Sequence, residues 1–177
     1  MNDSIDLRKN MDKNAQELKE DCLHTSKNNF LYASTMNKWR YTLGIVSSLA
    51  AGVIVLSVSG VNGPVNLIIS VCSVIALLSS TVTTTWNPGK NSEMHQRIGN
   101  EYLALQKRVQ KFIDIDVRDE TLSNSDLKAR LDKLSEEQVI LYKAYSHVVL
   151  PEWVHKKVIK KLASGEAIYD FENKKST

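Results

Sequence analysis

Gly89-Lys90 is the pair with which a phosphate-binding loop ends, where backbone N–H groups cradle the phosphates and the lysine reaches the outer ones. The spacing then demands Gly at 84 and Ser or Thr at 91, but Thr84 and Asn91 stand there. Asp114, Asp116 and Asp119 have the acidic density of a calcium loop. Arg118 takes a ligand position, Asp119 that of the turn glycine and Ser125 that of the bidentate glutamate, so the stretch reads as a solvated acidic turn. Ser125 and Lys128 have the Ser-x-x-Lys spacing, yet a serine opening a helix is ordinarily its cap. His24, His95, His147 and His155 show no His-x-x-x-His spacing, and neither Cys22 nor Cys72 has a Cys or His neighbour at metal distance. No catalytic residue, metal ligand or cofactor site follows, and the chain reads as a non-enzyme.

A weaker kind of chemistry is better supported, that of a water path. Asn66, Ser70, Ser73, Leu77, Ser80 and Thr84 recur by fours and threes on one helical face, while Leu67, Val71, Val74, Leu78 and Val82 form the back. Copies of such a helix could line a channel, with Leu77 as a dewetting gate. The competing reading is packing against a neighbouring helix, with hydroxyls bonded to backbone carbonyls. Gly44, Ser48 and Gly52 form a second small-residue face, read as helix packing.

These residues need a membrane element to position them, and the charge pattern supplies one. No Asp, Glu, Lys, Arg or His occurs in the 49 positions from Tyr41 to Gly89, where the overall 24% charged content would place about twelve. Asn62-Gly63-Pro64 splits this gap into halves that can each cross a hydrocarbon core about 30 Å thick. The run begins too far from the start for a signal peptide. A buried helical hairpin of a soluble domain is the competing account. Lys38, Arg40, Lys90 and Arg97 flank the gap while its central turn is uncharged, which places both termini in the cytoplasm. Trp39, Tyr41 and Trp86 would share one interfacial belt. Cys22 and Cys72 then lie in different compartments of the fold and act as packing residues.

The predicted organisation is an all-α chain, a two-span transmembrane helical hairpin with a cytoplasmic amphipathic helical bundle. Its parts are a cytoplasmic N-terminal helix (1–40), transmembrane helices (41–61 and 65–86) joined by an external turn (62–64), cytoplasmic helices (90–164) and a flexible tail (165–177). In the arm, Met11, Ala15, Leu18, Cys22, Thr25, Asn29, Tyr32, Met36 and Trp39 make a coiled-coil-like seam weakened at Thr25 and Asn29. Pro88 and Gly89 break the chain, and a second helix beginning near Ser92 carries Ile98, Tyr102, Leu105, Val109 and Phe112. A third starts near Ser123 or Ser125 with Leu127, Leu131, Leu134, Gln138, Leu141, Tyr145 and Val148. It has a candidate break at Ser135, and Pro151 ends it. The last helix, Glu152 to about Leu162, sets Trp153, Val154, Val158 and Leu162 against His155, Lys156, Lys157, Lys160 and Lys161. It suits either anionic headgroups or docking of its apolar side on the bundle. His95, one turn past Pro88, suits a structural bond to a freed carbonyl or the arm, or a protonation switch.

This layout, with the Trp86-Asn87-Pro88 corner, His95, Tyr102 and Leu105 on one long helix and the Pro151-Glu152-Trp153 start of the last, resembles the SLATT family. These are the SMODS- and SLOG-associating two-transmembrane effector domains of bacteria, and the resemblance runs from about Met11 to Gly165. It implies an inner-membrane effector of antiphage conflict systems that oligomerises to form a pore or disrupt the membrane. It also implies a trigger from a partner that makes or senses nucleotide signals. The expected partners are membrane lipids, further copies of the chain and a separate activating or sensor protein, with no direct contact to nucleic acid. A membrane-anchored scaffold that recruits a cytoplasmic partner is the alternative.

Overall fold

The structure, a computed structural model, describes residues 2–58 and 65–164, with side chains over 6–55 and 67–164. The predicted turn at 62–64, the side chain of Asn66 and the tail 165–177 lie outside the described residues. All described secondary structure is helical: α1 Asn2–Val58, α2 Val65–Trp86, α3 Pro88–Lys111, α4 Asn124–Tyr145 and α5 Glu152–Ala163. A π-helical turn, Phe112–Asp116, continues α3 and is closed by Val117 N–H donating to the Phe112 carbonyl at 3.0 Å. The helices form two compact units, residues 1–32 with 95–177, and residues 33–94.

The first unit is a bundle built on the predicted seams. Met11, Ala15, Leu18 and Cys22 of α1 are buried, as are Ile98, Tyr102, Leu105, Val109 and Phe112 of α3. The extra residue of the π-helical turn brings Ile113 inward beside Phe112. From α4 only Leu127 and Leu131 are buried, and the rest of its seam is half-buried at most. Each fully buried aliphatic side chain contributes about 1.5–3 kcal/mol. Gly99 lets α3 approach α1 closely, because a Cβ there would lie 3.1 Å from the Phe30 ring and the ring would have to give way. Arg8 ties the start of α1 to the loop before α4 by donating to the carbonyls of Val117, Asp119 and Leu122 and to Asn124 Oδ1.

The second unit is an antiparallel pair. Rings of Trp39 and Trp86 lie 6.4 Å apart, and Ser92 Oγ donates to the Ala33 carbonyl at 2.8 Å. Leu43, Ser47, Ala50 and Ile54 of α1 and Ile69, Cys72, Ala76 and Ser79 of α2 are the less exposed positions of the two helices, one narrow seam each. The remaining faces carry exposed large apolar side chains, among them Ile45, Leu49, Val55, Leu67, Val74, Leu77 and Leu78.

Three boundaries differ from the sequence reading. α3 starts at Pro88 rather than near Ser92, because Asn87 caps it and proline is well suited to the first helical position. Ser92 instead reaches Ala33. α4 runs unbroken through Ser135. It ends at Tyr145, six residues before Pro151. Among the described residues one helix is long and apolar enough to cross a membrane. It begins at Leu67 and has a mean hydropathy of 2.0, with 6% of its apolar window buried. The earlier uncharged run extends beyond the described side chains.

Candidate functional site

In the 33–94 unit the feature of interest is what the seams leave outside. On α2 the inward positions 69, 72, 76 and 79 lie one residue before 70, 73, 77 and 80. Ser70, Ser73, Leu77, Ser80 and Thr84 are therefore all exposed, with Leu77 at 68%. Thr84 Oγ1 donates to the Ser80 carbonyl at 2.8 Å, and Thr81 and Thr83 bond the Leu77 and Ser79 carbonyls in the same way. Such bonds satisfy the hydroxyls within the helix and let them sit in an apolar medium. The apolar back, Leu67, Val71, Val74, Leu78 and Val82, is exposed as well.

Gly44, Ser48 and Gly52 lie outside the α1 seam. A Cβ added at Gly44 or Gly52 would meet nothing within 4 Å, so neither glycine packs closely against another of the described residues. A shallow groove lined by Arg40, Tyr41, Gly44, Ile45, Ser48 and Leu49 runs over this face. Tyr41, like Trp39 and Trp86, is exposed.

The α2–α3 corner is built from one residue. Asn87 has φ 42°, in the left-handed region that Asn tolerates better than most residues. Its Oδ1 accepts from Lys90 N–H at 3.1 Å, and Asn91 Nδ2 donates to the Trp86 carbonyl at 2.8 Å. Pro88 is fully buried, and the Arg40 side chain passes Gly89 so closely that a Cβ there would lie 3.2 Å from Arg40 Cδ. Gly89-Lys90 is thus the start of a helix, and its backbone serves the cap.

In the bundle, α1 is buried at four consecutive polar positions, Ser26, Lys27, Asn28 and Asn29. Asn29 Nδ2 donates to the Thr25 carbonyl, which orients its amide so that Oδ1 accepts from His95 Nδ1–H at 2.8 Å. The His95 ring meets Tyr32 edge-on with centroids 4.5 Å apart, and burial lowers the pKa of its imidazole. Asn28 Nδ2 donates to His155 Nδ1 at 2.8 Å, while Asn28 Oδ1 and Ser26 Oγ are buried with no hydrogen-bond partner among the described residues. Neither the Asn28–His155 pair nor the full burial of this segment was anticipated. The signal available was the adjacent pair Asn28-Asn29 at the weakened middle of the arm's seam. A cleft of about 380 Å³ beside this cluster is lined by Thr25, Asn29, Tyr102, Tyr142, Tyr145 and His155 among others. Tyr145 Oη donates to Glu101 Oε2 at 2.8 Å, and burial followed by that bond raises its pKa.

The thiol of Cys22 is pushed up to about 12 by burial and then by Asp21. That is the condition of an inert packing cysteine. Asp114 and Asp116 accept from Gln110 and Arg130. Asp119 accepts from Thr121 N–H and Oγ1, bonds that hold its carboxyl below the usual carboxylate range. Ser123, rather than Ser125, caps α4 by accepting from Asp126 N–H at 3.1 Å. On α5 the apolar side is docked. Val154 and Val158 are fully buried, while Trp153, Lys156, Lys157 and Lys160 are exposed. Lys161 is half-buried.

A family model described as SMODS and SLOG-associating 2TM effector domain family 4 matches residues 19–148, which leaves α5 outside the match. No curated protein and no solved structure matches the chain.

Proposed function

The chain belongs to SMODS and SLOG-associating 2TM effector domain family 4, and from that premise we propose that it is a non-enzymatic, pore-forming effector of the bacterial inner membrane. In this reading the hairpin spans the membrane twice with both termini in the cytoplasm. Several copies assemble through the small-residue face at Gly44, Ser48 and Gly52. The α2 stripe then surrounds a water path with Leu77 closing it. The bundle restrains the assembly until a separate activating or sensor protein shifts the equilibrium, and loss of membrane integrity halts the infected cell.

The observation that carries the reading is the position of the stripe. Ser70, Ser73, Leu77, Ser80 and Thr84 are exposed in the single chain, and the α2 seam lies at other residues. Packing within the hairpin therefore does not account for them. Two helices enclose no channel, so a polar stripe on an apolar helix gains its use from further copies.

A second reading, a membrane-anchored scaffold, draws on exposed Val139, Ile140 and Val149 of the bundle, which could recruit another protein. Membrane potential separates the two. After brief induction at matched membrane levels, Leu77→Asn is expected to depolarise cells without a trigger, while Leu78→Asn on the apolar back mainly lowers insertion. Equal leak from both, or unchanged potential in both with the proteins inserted, removes the pore reading.

A further inference from the structure

We propose that the outward face of α5 is a docking surface for anionic phospholipid headgroups, an inference that rests on the membrane reading above. The inward face is already committed. Val154 and Val158 are fully buried and His155 accepts from Asn28, while Trp153 stands at the edge of this face, its ring 6.2 Å from that of Tyr32 and still exposed on its outer side. These contacts fix α5 to α1 within the unit formed by residues 1–32 and 95–177.

What remains outside has the composition of an interfacial face. Lys156, Lys157 and Lys160 follow Trp153 by three, four and seven residues, so the helical period gathers all four on one side. Trp153 is 42% exposed and Ile159 at the margin 58%, apolar surface with no use in water. Glu152 is the one acid of α5, and it pairs with Lys156 at 2.9 Å. Four lysines against one glutamate leave a net positive helix. Lysines alone would suit any polyanion. A tryptophan among them, with an isoleucine at their margin, selects a surface with an apolar layer just beneath its charge, which is a lipid leaflet. Because α5 lies beyond residue 148, this contact belongs to a part of the chain the family match does not include.

The test uses the full chain carrying Trp39→Phe and Trp86→Phe, so that Trp153 is the one fluorophore of its kind. It is reconstituted in nanodiscs of phosphatidylcholine alone or with one quarter phosphatidylglycerol, and insertion is checked by resistance to carbonate. In the anionic discs Trp153 emission is expected to shift to the blue and to be quenched by lipids brominated near the headgroup. Raised salt should reverse both effects. Each lysine near the surface is worth about fivefold in the docking equilibrium. Replacing Lys156, Lys157 and Lys160 by Gln should therefore lower it roughly a hundredfold, while Lys128→Gln with Lys133→Gln on α4 should change nothing. Identical Trp153 spectra in both kinds of disc, with the protein inserted, overturn the proposal. A change that requires added RNA and ignores the lipid overturns it in favour of a nucleic-acid surface. A chain that carbonate removes from the discs overturns the membrane reading and this one with it.

Discussion

His95→Ala is the substitution whose effect the bundle defines best. The imidazole is 3% exposed and donates to Asn29 Oδ1, whose residue is 4% exposed, and it packs edge-on against Tyr32. Truncation leaves the Asn29 oxygen buried without a donor, at about 1–3 kcal/mol. It also removes an aromatic pair worth about 0.5–1.5 kcal/mol. A loss of about 3 kcal/mol corresponds to roughly a hundredfold more frequent opening of the bundle. Cys22 reports that opening directly, because it is fully buried and its thiol is pushed up to about 12 in the closed state. With Cys72→Ser as background, the labelling rate of Cys22 by a thiol reagent, relative to the denatured chain, measures the open fraction. His95→Ala should accelerate labelling roughly a hundredfold. Asn29→Ala added to it should cost much less than it costs alone, since the two residues share one bond. Acceleration below about threefold, or about 0.6 kcal/mol, would refute the claim that this pair holds α1 to α3.

The same residue makes stability depend on pH. Burial lowers its folded pKa from 6.5, so its contribution is complete above 6.5 and is lost as pH falls from there toward the folded value, by at most about 1.4 kcal/mol per pH unit. Denaturant titrations from pH 8 to 5 should show this slope in the intact chain and a shallower one in His95→Asn; superposable profiles contradict it. Arg8→Ala removes a side chain bonded to three carbonyls and Asn124, and should cost about 2 kcal/mol locally. Faster hydrogen exchange over residues 117–124, with little change at Leu105, is the expected pattern. Asn87→Ala loses both the α3 cap and a residue suited to φ 42°, at about 2 kcal/mol together, whereas Asn87→Gly should cost less than half of that. Comparing the melting temperatures of the two variants in the same detergent checks the order.

Amphipathic periodicity made much of the bundle legible. The α3 seam from Ile98 to Phe112 and the arm from Met11 to Cys22 are buried as spaced, since one apolar stripe per helix leaves a single way to face a core. The rhythm of α4 promised more than it delivers. Beyond Leu131 its apolar residues are half-buried or exposed, and Val139, Tyr142 and Tyr145 line clefts beside Tyr102. Polar burial was legible only at His95, whose bond to the arm was one of the roles its position suited. Ser26 to Asn29 are enclosed because α3 and α5 supply His95 and His155 from 66 and 127 residues away, and no local pattern encodes such partners. In α2 the polar stripe could be read, but not which face turns toward α1. Cys72, Ala76 and Ser79 are as small as the serines beside them, and size alone does not choose between adjacent faces.

The corner at Asn87 has a mechanical consequence. One residue separates α2 from α3, so the direction in which α3 leaves is governed by a single pair of torsions. The positive φ of that residue lies on an isolated island of conformational space, with sterically forbidden ground around it. Such a joint does not flex in proportion to a load as a curved helix does. It stays on its island, held by Lys90 N–H, Asn91 and the Arg40 side chain lying along Gly89, or it jumps. A change in the direction of α3 at this corner therefore has to break those contacts together.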